Sequence, residues 1–402
     1  MKSNLLNQIF IFYVKEDHIV KKTFERKQKE DIPVVAICYD FDKTLSPDDM
    51  QAQGYIQSLQ YDVPKFWKES NSLAETNDMD QNLAYMYKMK TEAEGRMVFT
   101  QKTLEDYGSR VRLFPGVEEW FERIRKYGKK RGVKVEHYII SSGLKEMIEG
   151  TSVAKKGAFE KIYASSFYYN DRGVAEWPAQ VVNYTNKTQF LFRIEKGVLD
   201  INDPGVNDYF RPEDIRVPFR NMIYIGDSDT DIPCMKVVTS RGGYAIGVYS
   251  YETKDKTKVH KMIRDGRVKY YAEANYQNGS ELDTLVKAII DRTAKNEVLE
   301  TRSYECERET QEYDRQNSEE QIKKTNLIIS LENSRNFAQT HSIIAELSNY
   351  DFSAEEKERL FDIALNNSQV RYIMSDADIE KFYSKLEERM NRLTTDTEES
   401  NN

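Results

Sequence analysis

The sequence has few cysteines and no long apolar run, and each shortage excludes a class of protein. Its three cysteines, Cys38, Cys234 and Cys306, lie far apart and form no CxxC pair. A disulfide framework needs an even number of cysteines at regular spacing, so we expect a protein of the reducing cytoplasm. The N-terminal apolar run, residues 9–14, is much shorter than a membrane span and lacks the flanks of a signal peptide. We therefore expect no association with a membrane.

The chain also lacks an excess of positive charge. It has 59 lysines and arginines against 67 acidic residues, for a net charge of −8. This balance argues against a general affinity for nucleic acid. The four histidines do not share a helix face at ligand spacing, so a zinc site is not expected. With 402 residues, 39% of them hydrophobic, the chain can form two or three domains.

The stretch from residue 34 to residue 45, VVAICYDFDKTL, joins an apolar run to acidic residues. Its first six residues do not alternate with polar ones, which is typical of a strand covered on both faces. Asp40, Asp42 and Thr44 follow at a spacing of two, so in an extended segment they leave the same side of the backbone. Two carboxylates this close can act as nucleophile and acid, although such a pair at a strand end is more often only a turn.

A second apolar run, residues 222–225, also ends in acidic residues, GDSDTD. DFDKTL followed later by GDSDTD resembles the first and fourth motifs of the haloacid dehalogenase (HAD) superfamily. The resemblance implies that Asp40, the backbone carbonyl of Asp42 and Asp227 bind Mg²⁺, and that Asp231 supports this site or orients a lysine. Carboxylate oxygens are the hard ligands that Mg²⁺ prefers.

Two further positions match the superfamily. Ser141 and Ser142 close an apolar strand just before an amphipathic segment, where a hydroxyl and free backbone amides can bind an anion. Lys187 stands in the first turn of an amphipathic helix. The resemblance implies that the phosphate group is bound by Thr44, Ser141, Ser142 and Lys187. Lys187 is the least specific match, because a solvated surface lysine fits the same pattern. The rival lysines are Lys155, Lys156 and Lys161.

The residues between the first and second motifs, 46–112, are polar, rich in Met and Tyr, and helical in their spacing. In the HAD resemblance, a helical insertion at this place is a cap that selects the substrate, as in phosphoserine-phosphatase-like members. A helical subdomain that only adds stability would show the same pattern. The residues predicted for the inner face of the cap are Trp67, Tyr85, Tyr87 and Arg96.

Strands alternate with helices through the rest of the matching region, which predicts a mostly parallel sheet with helices on both faces. We therefore predict an α/β fold with a Rossmann-like HAD core, made of residues 32–45 and 113–292, and an inserted helical cap, 46–112. Residues 1–31 form an extension before the core.

The composition changes after the core. Residues 293–324 are dense in charge and predict a solvated helix or linker. Residues 325–393 predict a helical module, with a capping box at Ser353 and Glu356, and residues 394–402 a disordered tail. The module carries no pattern typical of catalysis. We predict that it contacts a protein partner or a second copy, and stabilisation of the core is an equally good explanation.

These patterns together predict a Mg²⁺-dependent hydrolase of small phosphate monoesters. In the resemblance, Asp40 attacks phosphorus to form an aspartyl phosphate, and Asp42 protonates the leaving alcohol and then activates water. A dehalogenase would lack an acid at the position of Asp42, and a P-type ATPase would need membrane spans. Two alternatives stay open, a phosphotransferase and a phosphate-sensing scaffold that recruits a partner through its C-terminal helices. Neither the natural substrate nor the oligomeric state follows from the residues.

Overall fold

The computed structural model describes residues 24–387 and contains a seven-stranded sheet with the order β4-β3-β2-β1-β5-β6-β7. Every neighbouring pair is parallel except β3 and β4, which are antiparallel. The predicted α/β fold with a mostly parallel sheet is confirmed. The strands are β1 (Val34–Tyr39), β2 (Lys134–Leu144), β3 (Lys161–Tyr169), β4 (Ala175–Gln180), β5 (Met222–Gly226), β6 (Tyr244–Tyr249) and β7 (Tyr270–Glu273).

Parts of the sequence-based interpretation lie outside the described residues. These parts are most of the predicted N-terminal extension, through residue 23, and the predicted tail with the end of the helical module, from residue 388 onward. Within residues 24–387, no helix combines the length and apolar character that a membrane span requires.

The chain divides into two compact units, with the division between Glu300 and Thr301. The helices of the first unit are α1 (Tyr55–Ser58), α2 (Val63–Thr76), α3 (Gln81–Ala93), α4 (Gln101–Gly108), α5 (Val117–Lys130), α6 (Lys145–Glu149), α7 (Ser152–Lys155), α8 (Lys187–Lys196), α9 (Ile232–Ser240) and α10 (Thr257–Arg264). α11 (Glu281–Glu332) contributes to both units. The second unit continues with α12 (Phe337–Leu347), α13 (Ala354–Asn366), α14 (Ser368–Tyr372) and a helix from residue 377 to the last described residue.

β1 lies at the centre of the sheet and is buried on both faces. Val35, Ile37 and Tyr39 join one apolar cluster, and the alternate residues of the strand join the other. All six residues are buried, which explains the lack of alternation in the sequence. Because β2 and β5 run parallel on either side, the polar residues that end these three strands meet at one edge of the sheet.

Two elements differ from the sequence-based expectation. The hairpin of β3 and β4 was not predicted, because it forms one edge of the sheet and exposes Tyr168 (55%) and Trp177 (72%) instead of presenting an apolar run. The helix expected near residues 280–290 continues to Glu332 as α11. The charged stretch 293–324 is therefore a helix, with ion pairs such as Arg315–Glu319 between successive turns.

The second unit has its own apolar core, formed by side chains from five of its described helices. Leu331 of α11 packs in the same buried cluster as Leu347, Leu360 and Phe382. The predicted capping box at the start of α13 is confirmed, because Ser353 accepts from the Glu356 amide and Glu356 accepts from the Ser353 amide. This core indicates a folded helical module rather than a solvated tail.

A fully buried histidine, His137, lies in β2 beside the central strand. His137 Nδ1 is 3.0 Å from the hydroxyl of Tyr39, which in turn accepts a 2.7 Å hydrogen bond from Trp120 Nε1. His137 Nε2 is 3.2 Å from the carbonyl of Phe121, so the partners assign the proton to Nε2. Burial lowers the pKa of His137 from 6.5 to about 3. The folded protein therefore holds this imidazole in its neutral form.

We expect His137 to make the fold sensitive to mild acid. The unfolded chain takes up a proton on this residue below pH 6.5, whereas the folded protein excludes it down to about pH 3. Above pH 6.5 this residue therefore does not change the free energy of unfolding. Between pH 6.5 and about pH 3 it lowers the free energy of unfolding by about 1.4 kcal/mol for each unit by which the pH falls. We would measure the free energy of unfolding with urea at a series of pH values. The slope of this free energy against pH should be smaller in His137→Gln than in wild type. His260→Gln, at an exposed histidine, should leave the slope unchanged, and an unchanged slope in His137→Gln would contradict this account.

Candidate active site

The residues at the carboxyl ends of three adjacent strands form an acidic site. Asp40 follows β1, Asp227 follows β5, and Ser141 lies near the end of β2. All three side chains are largely buried, with exposed fractions of 6%, 8% and 1%. The backbone amide of Asp40 donates to the carbonyl of Ile225, which holds the ends of β1 and β5 together. The parallel sheet thus brings together the strand ends that the sequence singled out.

A buried lysine joins two of the acids. Lys187, at the start of α8, is completely buried, and its ammonium lies 2.8 Å from Asp231 Oδ1 and 3.2 Å from Asp40 Oδ1. The carboxylate of Asp231 is also held by the hydroxyl of Tyr224 at 2.8 Å and by the backbone amide of Ser228 at 3.2 Å. Lys187 is therefore not a solvated surface lysine, and Asp231 fixes its ammonium beside Asp40.

The glycine before Asp227 makes room for this arrangement. A Cβ atom placed on Gly226 would lie only 2.5 Å from Asp231 Oδ2. Asp231 ends a single 3₁₀ turn, Asp229–Asp231, which folds its carboxylate back over the end of β5. Any larger residue at position 226 would displace that carboxylate, and with it the partner of Lys187.

Asp42 is turned away from Lys187 and toward a neighbouring loop. Its Oδ1 accepts a 2.8 Å hydrogen bond from the backbone amide of Met50. Its Oδ2 faces Gly143, where a Cβ atom would come within 3.0 Å. Burial, then Asp49 and Asp40, raise the pKa of Asp42 well above its ordinary value. The raised pKa favours a protonated carboxyl group, which can donate a proton.

The remaining predicted phosphate-binding residues lie in two environments. Thr44 is fully buried, and its hydroxyl donates to Asp227 Oδ1 at 3.5 Å, while its carbonyl accepts from Tyr276 at 2.8 Å. Ser141 accepts from the Gly143 amide at 3.1 Å, and the buried hydroxyl of Ser142 has no hydrogen-bond partner among the described residues. The Ser142 hydroxyl is therefore buried without a partner among the described residues, whereas that of Thr44 is already bound within the site.

The acids of the site have pKa values displaced from those of exposed carboxyl groups. Burial raises the pKa of Asp40 to about 6, although Lys187 opposes this shift. Burial, with the neighbouring charges of Asp231 and Asp40, raises the pKa of Asp227 to about 8. Burial would lower the pKa of Lys187, but the two carboxylates raise it overall, so the lysine stays charged. Lys258 lies 3.9 Å from Asp227 Oδ2, so two lysines face three buried acids, which leaves the cluster short of positive charge.

These residues fit a divalent cation. One carboxylate oxygen each from Asp40, Asp227 and Asp231 lie within 4.8 Å of one another. Both oxygens of Asp231 already accept hydrogen bonds, from Lys187 and Tyr224 and from Ser228, so Asp40 and Asp227 are the acids best able to bind a metal. Two carboxylates with space left for water and a phosphate group match the coordination that Mg²⁺ favours.

A polar cavity of about 460 Å³ opens above the acids. The sequence motifs predict the floor of this cavity, whereas most of its walls come from the start of α3, the loop before α8 and α10. These residues carry no motif and could be recognised only once the fold had brought them together. The lining residues missed from the sequence include Asp49, Asp80, Gln81, Asn82, Asn183, Tyr184 and Lys258.

The residues predicted for the inner face of the cap lie in different places. Tyr87 is 55% exposed, and Arg96 contacts the carbonyl of Leu59. Tyr85 is buried and donates a 2.7 Å hydrogen bond to the carbonyl of Ser142. Trp67 packs edge-on against Tyr85. None of these four residues is among the described residues that line the cavity, because the start of α3, at Asp80 to Asn82, reaches the cavity instead.

An acidic site at the carboxyl edge of a parallel sheet, with a buried lysine and a serine loop, is the arrangement of a HAD-type hydrolase. The model of the haloacid dehalogenase-like hydrolases matches residues 37–236. The chain belongs to this family, and the predicted family is confirmed.

Similar proteins include an uncharacterized protein of Borreliella burgdorferi, 28% identical over 273 residues, which covers 62% of this chain and 94% of the relative. A HAD family hydrolase of Salmonella enterica serovar Typhi superposes with a TM-score of 0.43 at 16% identity, covering 65% of this chain and 73% of that one. A probable phosphoserine phosphatase of Vibrio cholerae gives a TM-score of 0.43 at 12% identity, covering 67% and 69%.

Proposed function

We propose that this protein hydrolyses small phosphate monoesters through an aspartyl-phosphate intermediate and depends on Mg²⁺. The contact between Asp40 and the fully buried ammonium of Lys187, at the floor of a polar cavity, carries this proposal. The positive charge favours the ionised form of Asp40, which a nucleophile requires. Ser141 and Ser142 line the same cavity and would provide donors to a phosphoryl oxygen.

The reaction can be written with the residues of the site. A carboxylate oxygen of Asp40 attacks phosphorus, and the bond from phosphorus to the ester oxygen breaks. Asp42 gives its proton to the departing alcohol and then accepts one from the water that hydrolyses the acyl phosphate. Mg²⁺ held by Asp40, the Asp42 carbonyl and Asp227 would neutralise charge on the phosphoryl group. Lys187 and Ser141 would stabilise the same charge.

We propose in addition that residues 46–112 act as a substrate-selecting cap over the core, residues 32–45 and 113–292. The start of α3 supports this role, because Asn82 donates a 3.0 Å hydrogen bond to the carbonyl of Val182 and Asp80 accepts one of 2.9 Å from Asn183. The carboxylate and amide groups around the cavity favour a small polar substrate. The two buried, unpaired thiols, Cys38 and Cys234, fit a cytoplasmic location.

Phosphate release from a panel of amino-acid, sugar, nucleotide and aryl phosphates tests the function, with Mg²⁺ and with a chelator. We expect release only with Mg²⁺. We also expect Mg²⁺ to raise the melting temperature of the wild type but much less that of Asp227→Asn, a readout independent of activity. Transfer to an added alcohol in place of water would identify a phosphotransferase. No release from any substrate by a folded, Mg²⁺-binding protein would exclude a general phosphatase.

Asp42→Asn tests the role of Asp42 as the general acid independently of the nucleophile Asp40. An asparagine cannot protonate the leaving group, so we expect hydrolysis of alkyl phosphates to fall by about 10²–10⁴-fold. The leaving group of an aryl phosphate with an acidic phenol needs little protonation. The substitution should therefore slow the formation of the intermediate much less with this substrate than with an alkyl phosphate. The measurement is a comparison of kcat/KM for the two substrate types. Equal losses for both would contradict the role of Asp42 as the acid.

A further inference from the structure

The helical module contains a second cavity, of about 300 Å³, that is unrelated to the active site. Its apolar side is formed by Tyr350, Phe352, Phe382 and Leu386, with the rings of Phe352 and Phe382 edge to face at 6.1 Å. Three lysines complete it, and we call the cavity the lysine pocket. They are Lys357 of α13 and Lys381 and Lys385 of the helix that begins at residue 377.

Lys357 is the unusual member of this group. Its side chain is only 4% exposed, and within residues 24–387 no carboxylate or carbonyl lies in hydrogen-bond or ion-pair contact with it. A buried lysine normally has a partner, because removing an ammonium from water without one is costly. Lys324, in the same module, shows the ordinary arrangement, since its ammonium contacts Glu356 at 2.8 Å and the carbonyl of Asp351 at 3.1 Å. Lys357 is therefore a largely buried lysine without an ion-pair partner among residues 24–387.

The acid of the lysine pocket does not compensate for this charge. Asp378 lines the cavity, but its Oδ2 lies 2.7 Å from His341 Nδ1. Lys381 and Lys385 likewise have no ion-pair partner in the described part of the chain. They stand four residues apart on one helix, so their side chains extend from the same face. An acidic protein thus contains a pocket with three unpaired cations around an aromatic wall.

We propose that the lysine pocket binds an acidic peptide segment of a partner protein, with one apolar side chain inserted beside Phe352 and Phe382. The cavity has room for a single large side chain, and carboxylates flanking that side chain would reach the lysines on both sides. A carboxylate over Lys357 would supply the partner that its side chain lacks among residues 24–387. The negative charge of the segment complements the three lysines that line the pocket.

Fluorescence anisotropy with the full-length protein tests this proposal. The probe is a labelled pentapeptide with two acidic residues on each side of one phenylalanine. We expect saturable binding that weakens as salt is raised, and that weakens at least tenfold in Lys357→Met. Lys323→Met is the matched control, because it removes the same charge at an exposed site outside the pocket, and its affinity should stay within twofold of wild type. A peptide with alanine in place of phenylalanine should bind more weakly.

Thermal unfolding distinguishes a binding residue from a structural one. If Lys357 binds a ligand rather than supporting the fold, Lys357→Met should bind the peptide less well without melting at a lower temperature than wild type, because methionine retains the apolar packing of a side chain that is 4% exposed. Absence of saturable binding, or equal affinity in wild type and Lys357→Met, would overturn the proposal. Binding of free hexanoate at the pocket without any binding of the peptide would also overturn it, and would assign the site to a small amphipathic anion.

Discussion

Asp40→Asn is expected to lower phosphate-ester hydrolysis by at least about 10⁴-fold, because the amide that replaces the carboxylate is a very poor nucleophile. The substitution conserves shape, so the buried site should keep its fold. It also removes one of three crowded acids, which should leave stability equal to or above that of wild type. Single-turnover kinetics with an aryl phosphate would measure the chemical step directly.

The cavity offers a matched control for this experiment. Asp49 lines the same cavity as Asp40, but its carboxylate pairs with Lys43 at 2.8 Å and does not contact Lys187. Asp49 contributes to the raised pKa of Asp42, but burial and Asp40 still raise it without Asp49. Asp49→Asn should therefore retain activity within about tenfold, a loss of no more than about 1.4 kcal/mol in transition-state stabilisation. Trapping of a phosphorylated protein in the wild type but not in Asp40→Asn would support the covalent intermediate. Full activity of Asp40→Asn would refute the proposed nucleophile.

Lys187→Met is expected to damage both stability and activity. Its ammonium contacts Asp231 and Asp40 and has no exposure to solvent, so its removal leaves two buried acids without a counter-charge. Breaking a buried ion pair from one side costs about 3–5 kcal/mol. Urea unfolding in the absence of Mg²⁺ gives the cost directly. Because Lys187 lowers the pKa of Asp40, the activity that remains should also require a higher pH than in wild type.

The double variant Lys187→Met, Asp231→Asn tests the cause of that loss. Removing the Asp231 charge together with the lysine should recover part of the stability, because fewer uncompensated acids stay buried. It should not recover activity, since Asp40 would still lack its cation. Lys236→Met, at an exposed lysine of α9, should leave both properties within the range of ordinary surface substitutions. A Lys187→Met variant as stable as wild type would contradict the buried pairing.

The sequence predicted the centre of the fold and the floor of the site better than their surroundings. β1 and β5 are short, apolar on both faces and end in acidic residues, so their position and chemistry are both visible in the residue order. The edge hairpin was missed because exposed residues such as Trp177 remove the apolar signal. The cavity walls were missed for another reason. Asn183 and Asp80 meet only through the fold, and neither lies in a pattern that marks it.

The central position of β1 also affects how the chain can fold during synthesis. Both strands that pair with β1 come much later in the sequence, β2 about a hundred residues on and β5 nearly twice as far. At typical rates of translation, β1 must wait roughly 5–20 seconds for its first neighbour and as long again for its second. Until β2 is synthesised a fully apolar strand has two unpaired edges, and one edge stays unpaired until β5 follows, which makes the nascent chain prone to aggregate. Nascent chains that stop before β5 are therefore the form of this protein with the greatest need of a chaperone.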